Sequence, residues 1–353
     1  MRRHVGVDQA KLSVALCTYN GGRFLADQLQ SIARQTIAPD EVVICDDGST
    51  DDTAEIVAAF AGQAPFGVRW ERNASNLGST KNFENAISLC EGDLIFLADQ
   101  DDVWRDDKLA RFAAAFRQYP EAALAFSNAA IVDEELRPLG YQLWDAVGLR
   151  RPPGSDATFQ LDLFPETVRT FVVTGATMAI RRQFRDILIP FRSEWVHDGW
   201  IATLLSGIRP AIAIDEALIQ YRQHTSQQVG LVKPIRRTWD IRPTLREGWR
   251  LWGESRSPEQ NVGKYTGPEA IAAQYGAILD RLDSCGDAFC ENQEALDDRR
   301  ELLRCKLEHL QRRADIRKAI WRRPVQLWGE WRRGGYSRFS NGTLTALRDL
   351  AGI

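Results

Sequence analysis

The sequence predicts an α/β protein built on a mostly parallel sheet with helices on both faces, followed by a mainly helical extension. Three observations carry that reading. Short, continuously apolar runs alternate with amphipathic helical stripes through the first part of the chain, as in a parallel sheet covered on both sides. Acidic clusters stand where buried strands should end, the sharpest being Asp99-Gln100-Asp101-Asp102 after Leu94-Ile95-Phe96-Leu97-Ala98. Beyond about Gly230 the apolar β-rich runs give way to charged helical patterns and an Arg/Trp-rich end. The expected division is therefore an α/β domain over residues 1–230 and a basic, Trp-rich helical extension over 231–353.

The elements follow in order. Leu12 to Thr18 reads as a buried strand, closed by the turn signal Asn20-Gly21-Gly22. Phe24, Leu25, Gln28, Leu29 and Ile32 form a helical stripe that ends before Pro39. Glu41 to Cys45 is the second strand. Asp51 or Asp52 is placed to cap a helix reaching Ala61. Val68 to Glu71 is a third short strand, and Asn76-Leu77-Gly78-Ser79 turns into a helix over Thr80 to Cys90. Leu94 to Ala98 and a helix over Asp106 to Tyr119 complete this half. From about Ala129 to Glu166 the prolines and glycines predict a long loop or small insertion. Phe171 to Ile180, a helix over Arg181 to Leu188, a helix over Asp198 to Ser206, and two strands at Ala211 to Ile214 and Ala217 to Tyr221 close the sheet edge. Helices are expected again at Pro268 to Leu282 and Glu291 to Arg313, then a chain of short pieces broken by Pro324, Gly329 and Gly334-Gly335.

Bulk properties exclude several classes. With 353 residues, 44% hydrophobic and 26% charged, the chain is globular. A net charge of −3 gives no case for nucleic acid. No apolar run reaches the roughly 20 residues needed to span a bilayer. Met1-Arg2-Arg3-His4 is basic but has no apolar run behind it, so no secretory leader is expected. The six cysteines lack zinc-type spacing, and reduced thiols in a cytoplasmic protein are the simplest reading.

Ligands of an open parallel sheet bind outside the carboxyl ends of its strands. Thr18-Tyr19-Asn20, Asp46-Asp47 and Asp99-Gln100-Asp101 should therefore meet in one crevice. Three carboxylates in four residues repel one another unless a cation, above all one already carrying a diphosphate, joins them. A lone Asp-x-Asp is weak, since short acidic loops are common, and the convergence of clusters carries the argument. The chain has no Gly-x-Gly-x-x-Gly after its first strand and no P-loop, so phosphates must be neutralised without a glycine cradle.

Leu12-Ser13-Val14-Ala15-Leu16-Cys17-Thr18-Tyr19-Asn20, Val43-Ile44-Cys45-Asp46-Asp47-Gly48-Ser49-Thr50-Asp51, Asn76-Leu77-Gly78 and Asp99-Gln100-Asp101-Asp102-Val103-Trp104 with Asp107-Lys108-Leu109 resemble the family-2 inverting glycosyltransferases of GT-A fold. Thr174-Gly175-Ala176, His197-Asp198-Gly199-Trp200 and Tyr221-Arg222-Gln223-His224 look like the rhamnosyltransferase-like subgroup, which makes bacterial surface polysaccharides. The resemblance implies a base pocket lined by Thr18, Tyr19 and Asn20, with Asp46 or Asp47 accepting from a pyrimidine N–H. It implies Asp99 at the donor ribose, Lys81 near the donor, Arg222 at the phosphates, and Asp101 with His224 on Mg²⁺ or Mn²⁺. Asp198 matches the general base, with His197 where the family often has Glu. Asp102, Thr174, Gly175, His197, Trp195 and Trp200 would surround the sugars and dry the base. The expected reaction is inverting transfer from a nucleotide sugar to a hydroxyl of a lipid-linked or growing glycan. dTDP-L-rhamnose or another dTDP-6-deoxysugar is the first donor expected, and a UDP-hexose the alternative. The absence of a Gln-x-x-Arg-Trp motif after Asp198 argues for adding few sugars.

Blander readings stand beside these. Asp46-Asp47-Gly48-Ser49 also suits a turn and cap, Asp198 an N-cap, His224 a structural histidine, and Lys81 and Asn82 an exposed first helical turn. A catalytically inactive nucleotide-sugar-binding scaffold is the rival from another class. A nucleotidyltransferase is disfavoured because Asn20-Gly21-Gly22-Arg23 is too short to cradle a triphosphate. The Arg/Trp-rich end fits either a solvated extension or an interfacial segment. The lipid-linked acceptors of the family favour the latter, which would place the protein peripherally on the cytoplasmic face of the inner membrane.

Overall fold

The computed structural model describes residues 10–224, 267–318 and 320–352. The boundary expected near residue 230 and the Gly/Pro-rich stretch before Gly267 lie outside the described residues.

Four strands form the parallel half of the sheet: β1 (Leu12–Thr18), β2 (Glu41–Asp46), β3 (Gly67–Arg72) and β4 (Leu94–Asp99), in spatial order β3-β2-β1-β4. Every residue of β1 is buried, which is why its sequence is nearly continuous in apolar residues rather than alternating. β3 is the exposed edge, and its Arg69, Glu71 and Arg72 discourage pairing with another chain. Register sets Thr18 beside Asp46 and Cys17 beside Asp99, so the acidic ends of β2 and β4 flank the end of β1. Cys17, Cys45 and Cys90 are buried in the core of this half.

Past β4 the sheet becomes mixed. After β5 (Val103–Trp104) come β6 (Leu124–Val132), β7 (Pro138–Gln142), β8 (Thr158–Leu161), β9 (Met178–Arg181) and β10 (Ala211–Arg222). β9 lies antiparallel between β4 and β6, and β10 runs parallel to β6. The long strand β6 was not anticipated. The region expected to be a loop over 129–166 holds the end of β6, all of β7 and β8, and two short helices, α5 (Leu143–Val147) and α6 (Phe164–Arg169). Two strands were expected over 211–221. They form one, because β10 keeps pairing with β6 through register shifts around Ala217. There Asp215 and Glu216 turn half-exposed, and Glu216 pairs with Arg105 and Arg111. β10 also is no edge: β6, β8 and β5 all pair with it.

The other helices are α1 (Leu25–Ala33), α2 (Thr53–Ala61), α3 (Ser79–Leu89), α4 (Lys108–Gln118), α7 (Arg185–Leu188) and α8 (His197–Ile208). α3 packs on β1, β2 and α8, whereas α4 packs on β6 and β10. Neither Asp51 nor Asp52 caps α2 in the simple sense expected. The Asp51 carboxylate accepts from Thr53 N at 3.2 Å and from Gly22 N at 2.8 Å, tying α2 to the turn after β1.

The C-terminal part consists of α9 (Pro268–Cys285), α10 (Gln293–Lys318), α11 (Arg323–Arg332), α12 (Gly335–Phe339) and α13 (Thr343–Ala351). Ile278, Leu282, Leu296, Leu303 and Leu310 join the same apolar core as the sheet. α9 is further fastened by Trp195 Nε1 donating to Gln274 O (2.7 Å) and by Tyr275 Oη donating to Thr167 O (2.7 Å). α11 runs through Gly329, where a break was expected; the cost of a glycine within a helix is only about 1 kcal/mol.

The last helices are joined by buried charge. Asp349, fully buried, accepts from Arg313 Nε (2.8 Å), Arg317 Nε (2.6 Å) and Tyr336 Oη (3.0 Å). Removing one partner of a buried ion pair leaves the other uncompensated. Asp349→Ala should thus lower stability by about 3 kcal/mol, seen as an earlier urea midpoint, because Arg313 is equally buried. An unchanged midpoint would mean this network carries none of the packing.

Candidate active site

The carboxyl ends of β1, β2 and β4 converge with the start of α8 and the end of β10. Asp46 is buried and fully engaged by protein donors. It accepts from Thr18 Oγ1 (2.9 Å), Ser49 N (3.0 Å) and Ser49 Oγ, with Arg72 Nε at 3.4 Å. Asp47 is engaged as completely. Asn73 Nδ2 and Leu77 N each donate to it at 2.8 Å, and Gly78 N at 2.9 Å. Both aspartates therefore shape the loops around the crevice, Asp46 holding the turn after β2 and Asp47 the Asn76-Leu77-Gly78 turn. Asn20, at φ +49°, accepts from Thr50 N (2.9 Å) and donates its own N–H to Ser49 Oγ (2.8 Å). Tyr19 stands half-exposed at the rim, its backbone clamped by Gln100 in both directions at 2.8 and 3.1 Å.

The carboxylates after β4 separate into different environments. Asp101 pairs with His224 Nε2 at 2.7 Å. Asp99 is pushed up to about 8 by burial, then by the neighbouring Asp101 and Asp198 carboxylates, against the pull of Lys108. That repulsion reports that Asp198, far away in sequence, faces the same crevice. Asp102 was expected to line the sugar pocket. It is instead completely buried, accepting from Arg222 N (3.0 Å) through one oxygen while the other has no hydrogen-bond partner among the described residues. Burial and the two adjacent aspartates hold its carboxyl well above the usual range. Lys108, also buried, is drawn down to about 7 by desolvation; its ammonium donates to Ala176 O (2.8 Å) and sits 3.9 Å from the Trp104 ring centre.

Asp198 lies in the first turn of α8, half-buried. It accepts from Gly199 N at 2.8 Å and weakly from Gly175 N at 3.4 Å. Burial raises it to about 6 in spite of those donors. Beside it, His197 is buried and stacked on Phe83 at 3.9 Å, and neither ring nitrogen has a hydrogen-bond partner among the described residues. Desolvation lowers it to about 3, so the imidazole is neutral and weakly basic at physiological pH. A side chain at Gly175 would bring its Cβ within 2.5 Å of His197 Nε2, so only glycine fits between that ring and Asp198. Trp195 packs its ring against Gly199, and Thr174 accepts from Thr177 N and Oγ1 in the turn before β9.

Other expected contacts fall elsewhere. Trp200 is in the core, donating to Leu188 O (2.8 Å). Lys81 pairs with Glu84 (2.6 Å) and Phe191 O (3.1 Å). Arg222 is not turned toward a phosphate site but buried as a clamp. It donates to Asp101 O (2.7 Å), to Glu134 O and to Asp27 Oδ2 (3.0 Å), with its guanidinium 4.4 Å from the Phe24 ring centre. Asn82, read as an exposed first-turn residue, is buried and donates to Cys45 O at 2.8 Å.

Sequence reasoning gave no role to Gln100 or Lys108. Lys108 carried a readable signal, because it lies on the same helical stripe as Phe112 and Phe116. Gln100 carried none, since its bond crosses from β4 to β1.

A mixed sheet whose parallel strands end in carboxylates, with helices on both faces, is a GT-A glycosyltransferase architecture. The family model of Glycosyl transferase family 2 matches residues 13–188, and the chain thus carries a family-2 glycosyltransferase domain. An uncharacterized glycosyltransferase, alr2836, of Nostoc is 34% identical over 107 residues, 30% of this chain and 33% of the relative. The abequosyltransferase RfbV of Salmonella typhimurium is 34% identical over 101 residues, 28% of this chain and 30% of the relative. The chain thus matches about a third of the length of these relatives. A crystal structure of GalNAc-T7 with UDP, GalNAc and Mn²⁺ aligns with a TM-score of 0.50 at 14% identity, over 62% of this chain and 44% of the other, a likeness of fold alone.

The buried clamp yields a distinguishing prediction. Arg222→Met should lower the unfolding free energy by about 3 kcal/mol, since three acceptors lose a buried cation. Full stability with lost nucleotide affinity would instead make Arg222 a phosphate ligand.

Proposed function

We propose that this protein transfers a sugar from a nucleoside diphosphate sugar to an acceptor hydroxyl with inversion, with Asp198 as the general base. One observation carries the reading: a carboxyl raised to about 6, in the first turn of α8, facing the carboxylates that end β4. A general base works best when its pKa lies near the operating pH. Asp198 is ionised above that value and strong enough below neutrality to take the acceptor's proton as its oxygen attacks the anomeric carbon. His197, held neutral and near 3, is too weak to compete for this role. Gly175 lets the His197 ring and Asp198 pack closely against the backbone, which holds the carboxylate in place.

Thr18, Tyr19 and Asn20 form the rim proposed for the nucleoside, with the exposed Tyr19 ring available to the base. Asp99 is proposed to meet the ribose. Asp46 and Asp47 would act by shaping that pocket, as their oxygens are already taken.

Asp101 and His224 suit a divalent cation, Mg²⁺ or Mn²⁺, because they pair a hard carboxylate oxygen with an imidazole nitrogen at 2.7 Å. The donor's diphosphate oxygens would complete the coordination of such an ion. When bound, such an ion stabilises the charge that builds on the departing nucleoside diphosphate. It would also relieve the repulsion that raises Asp99.

The donor proposed first is dTDP-L-rhamnose or a related dTDP-6-deoxysugar, supported by Thr174-Gly175-Ala176 and His197-Asp198-Gly199-Trp200. The likeness to an abequosyltransferase supports an acceptor hydroxyl on a lipid-linked or growing surface glycan. A UDP-hexose is the second donor reading, favoured by the UDP in the GalNAc-T7 structure.

The test is a transfer assay across sugar nucleotides and pH. Asp198→Asn should cut turnover by about 10³-fold while leaving nucleotide affinity intact. For the native protein, kcat/KM should fall tenfold per unit as pH drops below about 6, because protonation removes the base. Turnover retained by the variant would remove Asp198 from this role.

A further inference from the structure

We infer that α11 docks the protein onto an anionic lipid surface through a tryptophan face that the fold turns outward. The inference goes beyond sugar transfer and does not depend on it. A helix on a protein surface normally buries its apolar side and exposes its charges. α11 does the reverse. Its one fully buried residue is Glu330, whereas Val325 is 76% exposed, Trp328 62% and Trp331 41%. Trp321, in the turn leading into the helix, is 96% exposed.

The inversion is anchored. Glu330 pairs with His309 Nδ1 and Arg312 Nε, each at 2.6 Å, and His309 Nε2 bonds Ser340 Oγ at 2.9 Å. A Cβ on Gly335 would lie 1.9 Å from Glu330 Oε1 and 2.6 Å from His309 Nδ1, so the chain crosses this pair closely. The carboxylate thereby fixes the rotation of α11. Val325 and Trp328, three apart, must point away from α10, and Arg332 follows on the same stripe.

Charge selects the occupant. Between Asp315 and Asp349 the sequence holds eight Lys and Arg residues and a single acid, Glu330, which is consumed inside. Arg322, Arg332, Arg333 and Arg338 are exposed. Tryptophan prefers the boundary between headgroups and acyl chains, and its indole N–H still finds a partner there. Arginines around such a face add electrostatic attraction to anionic headgroups. No helix among the described residues is long and apolar enough to cross a membrane, so contact from this face would be interfacial.

The experiment is flotation of the full chain with vesicles of phosphatidylcholine, with and without phosphatidylglycerol. The native protein should float with the phosphatidylglycerol vesicles and far less with phosphatidylcholine alone. Trp321→Ser, Val325→Ser and Trp328→Ser together should reduce binding at least about tenfold, since apolar insertion is lost, with the melting midpoint unchanged because all three side chains are exposed. Arg322→Glu with Arg332→Glu should abolish the preference for phosphatidylglycerol while leaving the same midpoint. Equal flotation of native protein and the triple variant overturns the inference. So does a folded native protein that stays unbound, including one that self-associates through this face as a dimer lost in the triple variant.

Discussion

The site depends on crowding negative charge at the end of β4 and keeping it there. Asp99, Asp101 and Asp102 occupy one turn, and burial adds to their mutual repulsion, raising Asp99 and Asp102 together. The fold offsets this with two buried cations of different kinds. Lys108 approaches from α4, its ammonium shared between the Trp104 ring and Ala176 O. Arg222 comes from the end of β10 and grips the backbone of Asp101 while its own N–H bonds Asp102. Asp101 is left pointing at His224. A lysine drawn toward neutrality and carboxylic acids drawn toward protonation show how little compensation the protein's own cations supply. That is the condition under which an added cation binds well.

The same economy separates the neighbours at the start of α8. His197 and Asp198 are adjacent, yet burial moves them in opposite directions, the imidazole to about 3 and the carboxyl to about 6. Desolvation disfavours whichever form is charged, so the histidine becomes a neutral ring stacked on Phe83 and the aspartate carboxyl is raised to about 6. Gly175 and Gly199 make this possible by admitting ring systems against the backbone on either side.

The parallel half was legible in sequence because fully buried strands leave continuous apolar runs, and β1 was read to the residue. The acidic strand ends were legible for the same reason, since charge after such a run marks its carboxyl end. The middle was not. β6 carries Ser127 and Asn128 within its apolar run, while β7 is short and exposed and β8 is four residues with only Phe159 buried, both held by pairing with β6 and β10 rather than by their own pattern. Residue roles failed where a side chain could turn either way. Arg222 and Asp102 have the chemistry of site residues, and only the closure of β10 over the β4 end turns them inward. At the C-terminus, composition announced Arg and Trp, but the rotation of α11 depends on Glu330 meeting His309 across helices, which no local pattern encodes.

The central claim is that the Asp101–His224 pair receives a nucleoside diphosphate together with a divalent ion. The most direct measurement is calorimetric titration of dTDP, UDP, GDP and CDP with and without Mn²⁺, on the native protein and on Asp101→Asn. The account predicts tight binding of one pyrimidine diphosphate that requires Mn²⁺ and weakens at least about tenfold in the variant. Binding that is indifferent both to Mn²⁺ and to Asp101 would contradict it.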